Sequence, residues 1–186
     1  LLAGSEVPDQ NQDDINNSLD QVTDYVFEII QNSNFGQEVH ESFMDLAVGT
    51  GILLVEEGDA VNPIRFNAIP LPTVYLDTGP DDKIDHVYRQ RSLKYEEIPI
   101  AYQKAELGEK TAKSVASNPD AKVDIVEIVC RNYSKPNQDL FDFFVINIPD
   151  KELIFQDQFS GTGSNPFVCF RWSKASGEIY GRGPLI

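Results

Sequence analysis

Apolar residues open the chain at helical spacing. Ile15, Leu19, Val22, Val26 and Ile29, with Ile30 beside them, step by four, three, four and three, which predicts a helix over residues 13–31, ~28 Å long at 1.5 Å per residue. Residues 1–12 are polar and carry Gly, Pro and Asp, the composition of a frayed end. Asn32-Ser33-Asn34 breaks the pattern, and Asn34 with Gln37 three residues on reads as a capping box for a second helix. That helix is expected to bury Phe35, Val39, Phe43 and Leu46 and to stop at Gly49 and Gly51. Two helices joined by so short a break form a hairpin.

The period then shortens. Residues 52–56, 64–69, 73–76 and 84–91 read as short strands, separated by Gly58, Pro63, Pro70, Pro72 and a turn over residues 79–82. Their spacing of about ten residues predicts an antiparallel meander. Residues 93–106 look helical but contain Pro99, so that helix is kinked or starts late. Residues 109–116 add one or two more turns, and Asn118-Pro119-Asp120 closes this insert. Strands resume at 123–131 and 140–148. Pro149-Asp150 forms a type I turn into 153–159, and Gly161-Thr162-Gly163-Ser164 leads into a terminal strand from Phe167. The expected fold is α+β: an N-terminal helical hairpin packed on a mainly antiparallel sheet, with a helical insert between the sheet's halves.

Composition changes this picture little. An apolar share of 41% over 186 residues supports a packed core. No apolar run approaches the length of a membrane span. The net charge of −15 does change it, because DNA affinity rests on Lys and Arg displacing counterions. An acidic surface excludes a tight grip on nucleic acid, although such surfaces also line channels through which DNA slides. Cys130 and Cys169 sit in apolar strand-like surroundings and read as small core residues. His40 and His86 lack ligand partners at zinc spacing. The first residue is not Met and the last turn ends abruptly, which reads as a piece of a longer protein.

Three constellations bear on chemistry. Leu76-Asp77-Thr78-Gly79 resembles the catalytic loop of retropepsin-like aspartic proteases, in which two Asp share a proton. Ile179-Tyr180-Gly181 supplies the apolar pair and Gly that such proteases place downstream, but about a hundred residues intervene. The same residue types also make an ordinary turn between strands. The Gly-rich segments Val48-Gly49-Thr50-Gly51 and Gly161-Thr162-Gly163-Ser164 have neither the strand-to-helix order nor the Lys of a phosphate loop, and read as turns. A nucleophile elbow is missing, and two histidines leave little material for a triad. No catalytic, cofactor or metal residues are assigned, and the chain is not expected to be an enzyme.

Four segments carry a family resemblance: DLAVGTGILLVEEG (45–58), IRFNAIPLPTVYL (64–76), IDHVYRQRSL (84–93) and FRWSKASGEIYGRGP (170–184). In words and in order they resemble the wing of podovirus (T7-like) portal proteins, the phage head-to-tail connecting proteins. The resemblance covers residues 35–186, and residues 1–34 add a generic helical segment. It implies a structural subunit of a dodecameric ring through which DNA is packaged and ejected without sequence-specific binding. Its implied partners are further copies of itself, capsid protein, terminase and tail adaptor proteins, with no membrane. The implied location is the portal vertex of the virion, after synthesis in the host bacterial cytoplasm. Stem, clip and crown would lie outside this chain, which is therefore not expected to form the ring alone. Tyr180-Gly181-Arg182-Gly183-Pro184 would be the hinge into the stem, with Phe170 and Trp172 anchoring the strand before it. The insert over residues 93–120 matches no family pattern.

Overall fold

The computed structural model describes residues 9–135 and 138–185. The first stripe forms α1 (Asp9–Asn32), starting four residues before the periodicity does. Residues 9–12, expected to fray, hold neither Gly nor Pro, so nothing stops the helix from extending through them. The rest of the expected frayed end, residues 1–8, lies outside the described residues. After a turn at Ser33-Asn34 comes α2 (Phe35–Leu46), which packs on the first two strands.

Those strands, β1 (Thr50–Glu57) and β2 (Ile64–Ala68), pair antiparallel. The last strand, β8 (Phe167–Arg171), completes a three-stranded sheet in the order β2-β1-β8. The middle strand is buried on both faces, which explains its unbroken Ile52-Leu53-Leu54-Val55 run. Ile52 and Leu54 enter the main core, whereas Leu53 and Gly51 face α2, whose Ser42 sits against Gly51.

Asn34 does not cap α2 as expected. Its amide instead behaves as a spare peptide group beside β2: Oδ1 accepts from the Phe66 N–H at 3.0 Å and Nδ2 donates to the Phe66 carbonyl at 2.7 Å. One turn on, Glu38 accepts from the Ala68 N–H at 2.7 Å, and further along Asp45 accepts from the Leu71 N–H at 2.8 Å. Asn34 and Glu38 thus satisfy Phe66 and Ala68 on the open edge of β2, and Asp45 the Leu71 amide just past it. Phe43, placed in the buried set from sequence, is 51% exposed, and Ser42 is buried instead. Asn34→Ala is expected to cost about 1–2 kcal/mol, and hydrogen exchange at the Phe66 amide should accelerate in that variant.

The expected meander breaks after β2. Pro70 and Pro72 lack the donors that would continue a ladder, and the chain crosses through a single turn (Leu71–Thr73) to a second sheet. That sheet runs in the order β3-β4-β5-β6-β7, from β3 (Val74–Thr78), β4 (Ile84–Lys94), β5 (Lys122–Arg131), β6 (Leu140–Asn147) and β7 (Glu152–Ser160). Every pairing is antiparallel. The architecture is α+β, with its strands divided between two sheets.

Leu93, read as the start of a helix, is the penultimate residue of β4 and pairs with Val123. The insert occupies residues 95–121 and leaves and rejoins the same ladder, where Lys94 faces Lys122. Within it α3 (Ile98–Ala101) is a single turn with Pro99 in its opening positions, where the missing N–H is not needed. The second helix, α4 (Glu109–Ser117), takes its cap from another element. Glu152 at the start of β7 accepts from the Thr111 N–H at 3.0 Å, the Thr111 hydroxyl at 2.8 Å and the Lys110 N–H at 3.2 Å.

The bonds from Thr111, and then the Lys110 amide, hold the Glu152 carboxyl below its usual range. Because the folded-state pKa is depressed, this stabilisation is complete above the unfolded value, near ~4.3. It is lost as pH falls through the folded value. Amide exchange in α4 is therefore expected to rise on acidification below that point, and Glu152→Gln should flatten the dependence.

The inner face of the five-stranded sheet meets two partners. At one end, Leu76, Val87, Val129 and Phe141 pack with Ile52, Leu54 and Phe167 of the three-stranded sheet. At the other, Ile125, Val145 and Ile154 pack with Ile98 and Tyr102 of the insert. Each fully buried aliphatic side chain contributes about 1.5–3 kcal/mol. The layers run α2, three-stranded sheet, five-stranded sheet.

Candidate assembly site at the glycine junction

Two Gly-rich segments read separately from the sequence prove to be one site. Residues 47–50 form the turn from α2 into β1, and residues 179–183 return to lie against it. Gly49 has φ +148°, and a Cβ there would stand 2.0 Å from the Gly181 carbonyl oxygen. A Cβ on Gly181 would meet the Gly49 carbonyl oxygen at 2.2 Å, and one on Gly183 the Ala47 carbonyl oxygen at 2.1 Å. Backbone lies on backbone, and only glycine permits so close an approach.

Hydrogen bonds fix the register. The Gly181 N–H donates to the buried Thr50 hydroxyl at 2.8 Å, and the Gly183 N–H donates to the Val48 carbonyl at 3.1 Å. The Trp172 N–H donates to the Gly49 carbonyl at 3.0 Å, and Arg182 N–H to the Ser173 carbonyl at 2.8 Å. Arg171 reaches the Ile179 carbonyl at 3.1 Å. Tyr180 extends the clamp to the second sheet, where its hydroxyl accepts from the Leu76 N–H at 3.0 Å and donates to the Val74 carbonyl at 3.4 Å. That contact covers the Leu76 N–H and the Val74 carbonyl on the free edge of β3. Arg182 is exposed and forms a double contact with Glu178, at 2.6 and 3.0 Å.

The expected anchors are corrected in part. Trp172, one residue past the end of β8, is 60% exposed. Phe170 lies against Gly51 and meets the edge of Phe43 at 6.3 Å. The deeper anchors are Phe167 in the core and Tyr180 across the two sheets.

Asp77 finds none of the surroundings of a protease dyad. It is exposed at the end of β3, its carboxylate accepts from the Thr78 N–H at 2.8 Å, and its cross-strand neighbour is His86. The chain has a single Asp-Thr-Gly. The downstream Ile179-Tyr180-Gly181 segment touches β3 through the Tyr180 hydroxyl instead of framing the Asp77 carboxylate. Asp85, nearby, is buried and engaged by the Tyr133 hydroxyl at 2.9 Å and by Arg131 at 3.5 Å. Gly163 in the second Gly-rich loop has φ +70°, and its N–H reaches Asp139, which is what a tight turn requires.

Both cysteines are free. They belong to different sheets, and burial pushes the Cys169 thiol up to about 12. Burial, with Asp142 beside it, also raises Cys130. Among the described residues no group of three or more His, Cys, Asp or Glu is placed to hold a metal. No helix among them is long and apolar enough to cross a membrane.

Sequence reasoning missed a buried ionic cluster. Glu127 on β5 accepts from Arg89 and Arg91 of β4 at 3.1 Å each, and from the Tyr102 hydroxyl of the insert. Burial, then Glu127 itself, pushes the Tyr102 hydroxyl well above the usual phenol range. The cluster floors a cleft of about 310 Å³ walled by Phe143, Phe155 and Phe167. Glu127, Arg89, Arg91 and Tyr102 bond one another at its floor, and the cleft opens between the insert and the two sheets. The signal was present: Arg89 and Arg91 share the parity of Val87 and Leu93, so both charges fall on the core face of β4.

Charge is divided unevenly. Residues 1–64 hold thirteen Asp and Glu and no Lys or Arg, whereas the following residues hold seventeen acids against fifteen bases. The acidity thus falls in the first third of the chain.

The fold joins two packed sheets to the last segment of the chain by backbone-to-backbone contact at three glycines. A family model for the bacteriophage head to tail connecting protein matches residues 2–186. The chain belongs to that family: it is a structural component of a phage connector, a family that implies assembly with capsid and tail proteins. No curated protein matches the chain.

Proposed function

We propose that residues 35–186 are the wing of a podovirus (T7-like) portal, and that residues 1–34 are a separate helical segment leading into it. In this reading a dodecameric ring of the complete protein stands at the portal vertex of the virion, after synthesis in the host bacterial cytoplasm. DNA passes through its channel during packaging and ejection, terminase docks on it, and tail adaptors replace terminase later. The observation that carries the reading is the glycine junction. Gly49, Gly181 and Gly183 lock two distant parts of the chain backbone to backbone, which would set the direction of the Gly-Arg-Gly-Pro segment relative to both sheets. A ring subunit needs such a fixed angle, because a small error per subunit prevents closure. The acidic first third of the chain supports passage of DNA without capture.

The test is electron microscopy of the protein expressed from its complete reading frame. Closed dodecameric rings with a central channel are expected; a monomer or an open filament would overturn the proposal.

A further inference from the structure

One side chain of the final segment stands where a neighbouring strand would bind β3. The Tyr180 hydroxyl accepts from the Leu76 N–H at 3.0 Å and donates to the Val74 carbonyl at 3.4 Å. The Val74 N–H is already taken by the Leu71 carbonyl, and the Thr78 N–H by the Asp77 carboxylate at 2.8 Å. Leu76 therefore carries the donor that this edge offers, and Tyr180 occupies it. An edge donor left without such cover is a template for another strand.

The cover is removable. On β2 the edge groups are held by Asn34 and Glu38 at the packed helix α2. On β3 the covering residue lies 104 positions away in sequence, on the segment that the glycine junction fastens to residues 47–50. When that segment leaves, the hydroxyl leaves with it.

We infer that Tyr180 guards the β3 edge against β3 of a second copy, and that release of the final segment opens the edge to this pairing. A two-fold axis at Tyr75 sets Leu76 of each copy against Val74 of the other in an antiparallel pair. Each Leu76 N–H then donates to the opposite Val74 carbonyl, so both bonds lost with Tyr180 are replaced. Tyr75, 61% exposed, meets its own counterpart at the close, non-hydrogen-bonded position, where aromatic pairs stabilise a ladder. Asp77 falls opposite Thr73 in this register, so the strand's one carboxylate does not face its own copy. The edge is thus complementary to itself, as a two-fold contact requires, and β2 is no rival because α2 holds its donors.

Tethering decides which occupant wins. The attached segment presents Tyr180 at an effective concentration on the order of millimolar, so the parent chain stays single at micromolar concentration. The competition is reciprocal: pairing through β3 favours a detached final segment.

Light scattering on the 186-residue chain across a range of concentration tests this. Tyr180→Ala is expected to climb from the mass of one chain toward that of two, while the parent stays at one. Exchange of the Leu76 amide should be fast in dilute Tyr180→Ala and slow again as the concentration rises. In a Cys130→Ala, Cys169→Ala background, Tyr75→Cys chains should oxidise to a cross-linked pair roughly tenfold or more faster once Tyr180 is Ala, because the tethered competitor is gone. Val61→Cys, at an 85% exposed position away from β3, supplies the rate of random collision. Gly181→Ala, which keeps the Tyr180 side chain but frees its segment, should associate in the same way and carries the test by the same criteria if Tyr180→Ala does not fold. A folded variant that stays single at every concentration overturns the inference, since water then satisfies the edge. Association in which Tyr75→Cys links no faster than Val61→Cys overturns it too, by placing the contact elsewhere.

Discussion

Glu127→Ala is expected to destabilise the fold by about 3–5 kcal/mol, the range for removing one partner of a buried charge cluster. The Glu127 side chain is 4% exposed and accepts from Arg89, Arg91 and Tyr102. Alanine would leave two guanidinium groups and a hydroxyl facing the core side of the sheet without their acceptor. Arg91 is partly open to solvent and recovers some hydration, which places the loss in the lower half of that range. Glu127→Gln keeps an acceptor and should lose less. Urea denaturation measures both, and a Glu127→Ala midpoint equal to the parent's would show that the cluster is not what joins the insert to the sheet. Exchange at residues 98–105 should accelerate first, because Tyr102 is the insert's link to Glu127.

Gly181→Ala is expected to release the final segment without unfolding the body. Its Cβ would lie 2.2 Å from the Gly49 carbonyl oxygen and 2.9 Å from the Arg171 Cβ. Neither neighbour can retreat, since Gly49 is itself held by Trp172. Overpacking of this kind costs about 1–3 kcal/mol, and here the segment can escape it by detaching. Tryptic cleavage at Lys174 and Arg182 should then rise on the order of tenfold or more, as expected when cleavage tracks the open population. Emission from Trp172, the chain's single tryptophan, reports the same event. Gly36→Ala is the control: a Cβ there meets nothing within 4 Å, and the helix should tolerate or favour it. Unchanged cleavage in Gly181→Ala would mean that the junction is not a lock.

The elements were legible in the sequence wherever one period dominated. The four-three stripe of α1 and the bounded apolar runs of β1, β5, β6 and β7 announced themselves, and Pro99 marked the late start of α3. What the sequence could not reveal was partnership. Asn34 obeys the capping pattern, yet its amide is claimed by Phe66, thirty-two residues away. Leu93 fits a helix locally, but its pairing with Val123 draws it into β4. Phe43 occupies a helical core position, but α2 lies along the β2 edge and turns that position outward. Residues 48–51 were read as a turn and residues 180–184 as a hinge; that the two touch follows from tertiary structure, and composition alone carried no sign of it. Family words identified the final segment before its geometry explained why those residues must be glycine.

As a member of the head-to-tail connecting protein family, this chain is expected at the joint between phage head and tail. Immunogold labelling of virions, with antibodies raised against the 186-residue chain, tests it most directly. Label is expected at one vertex per particle, where head meets tail; label spread over the capsid, or none on intact and disrupted particles, would contradict it.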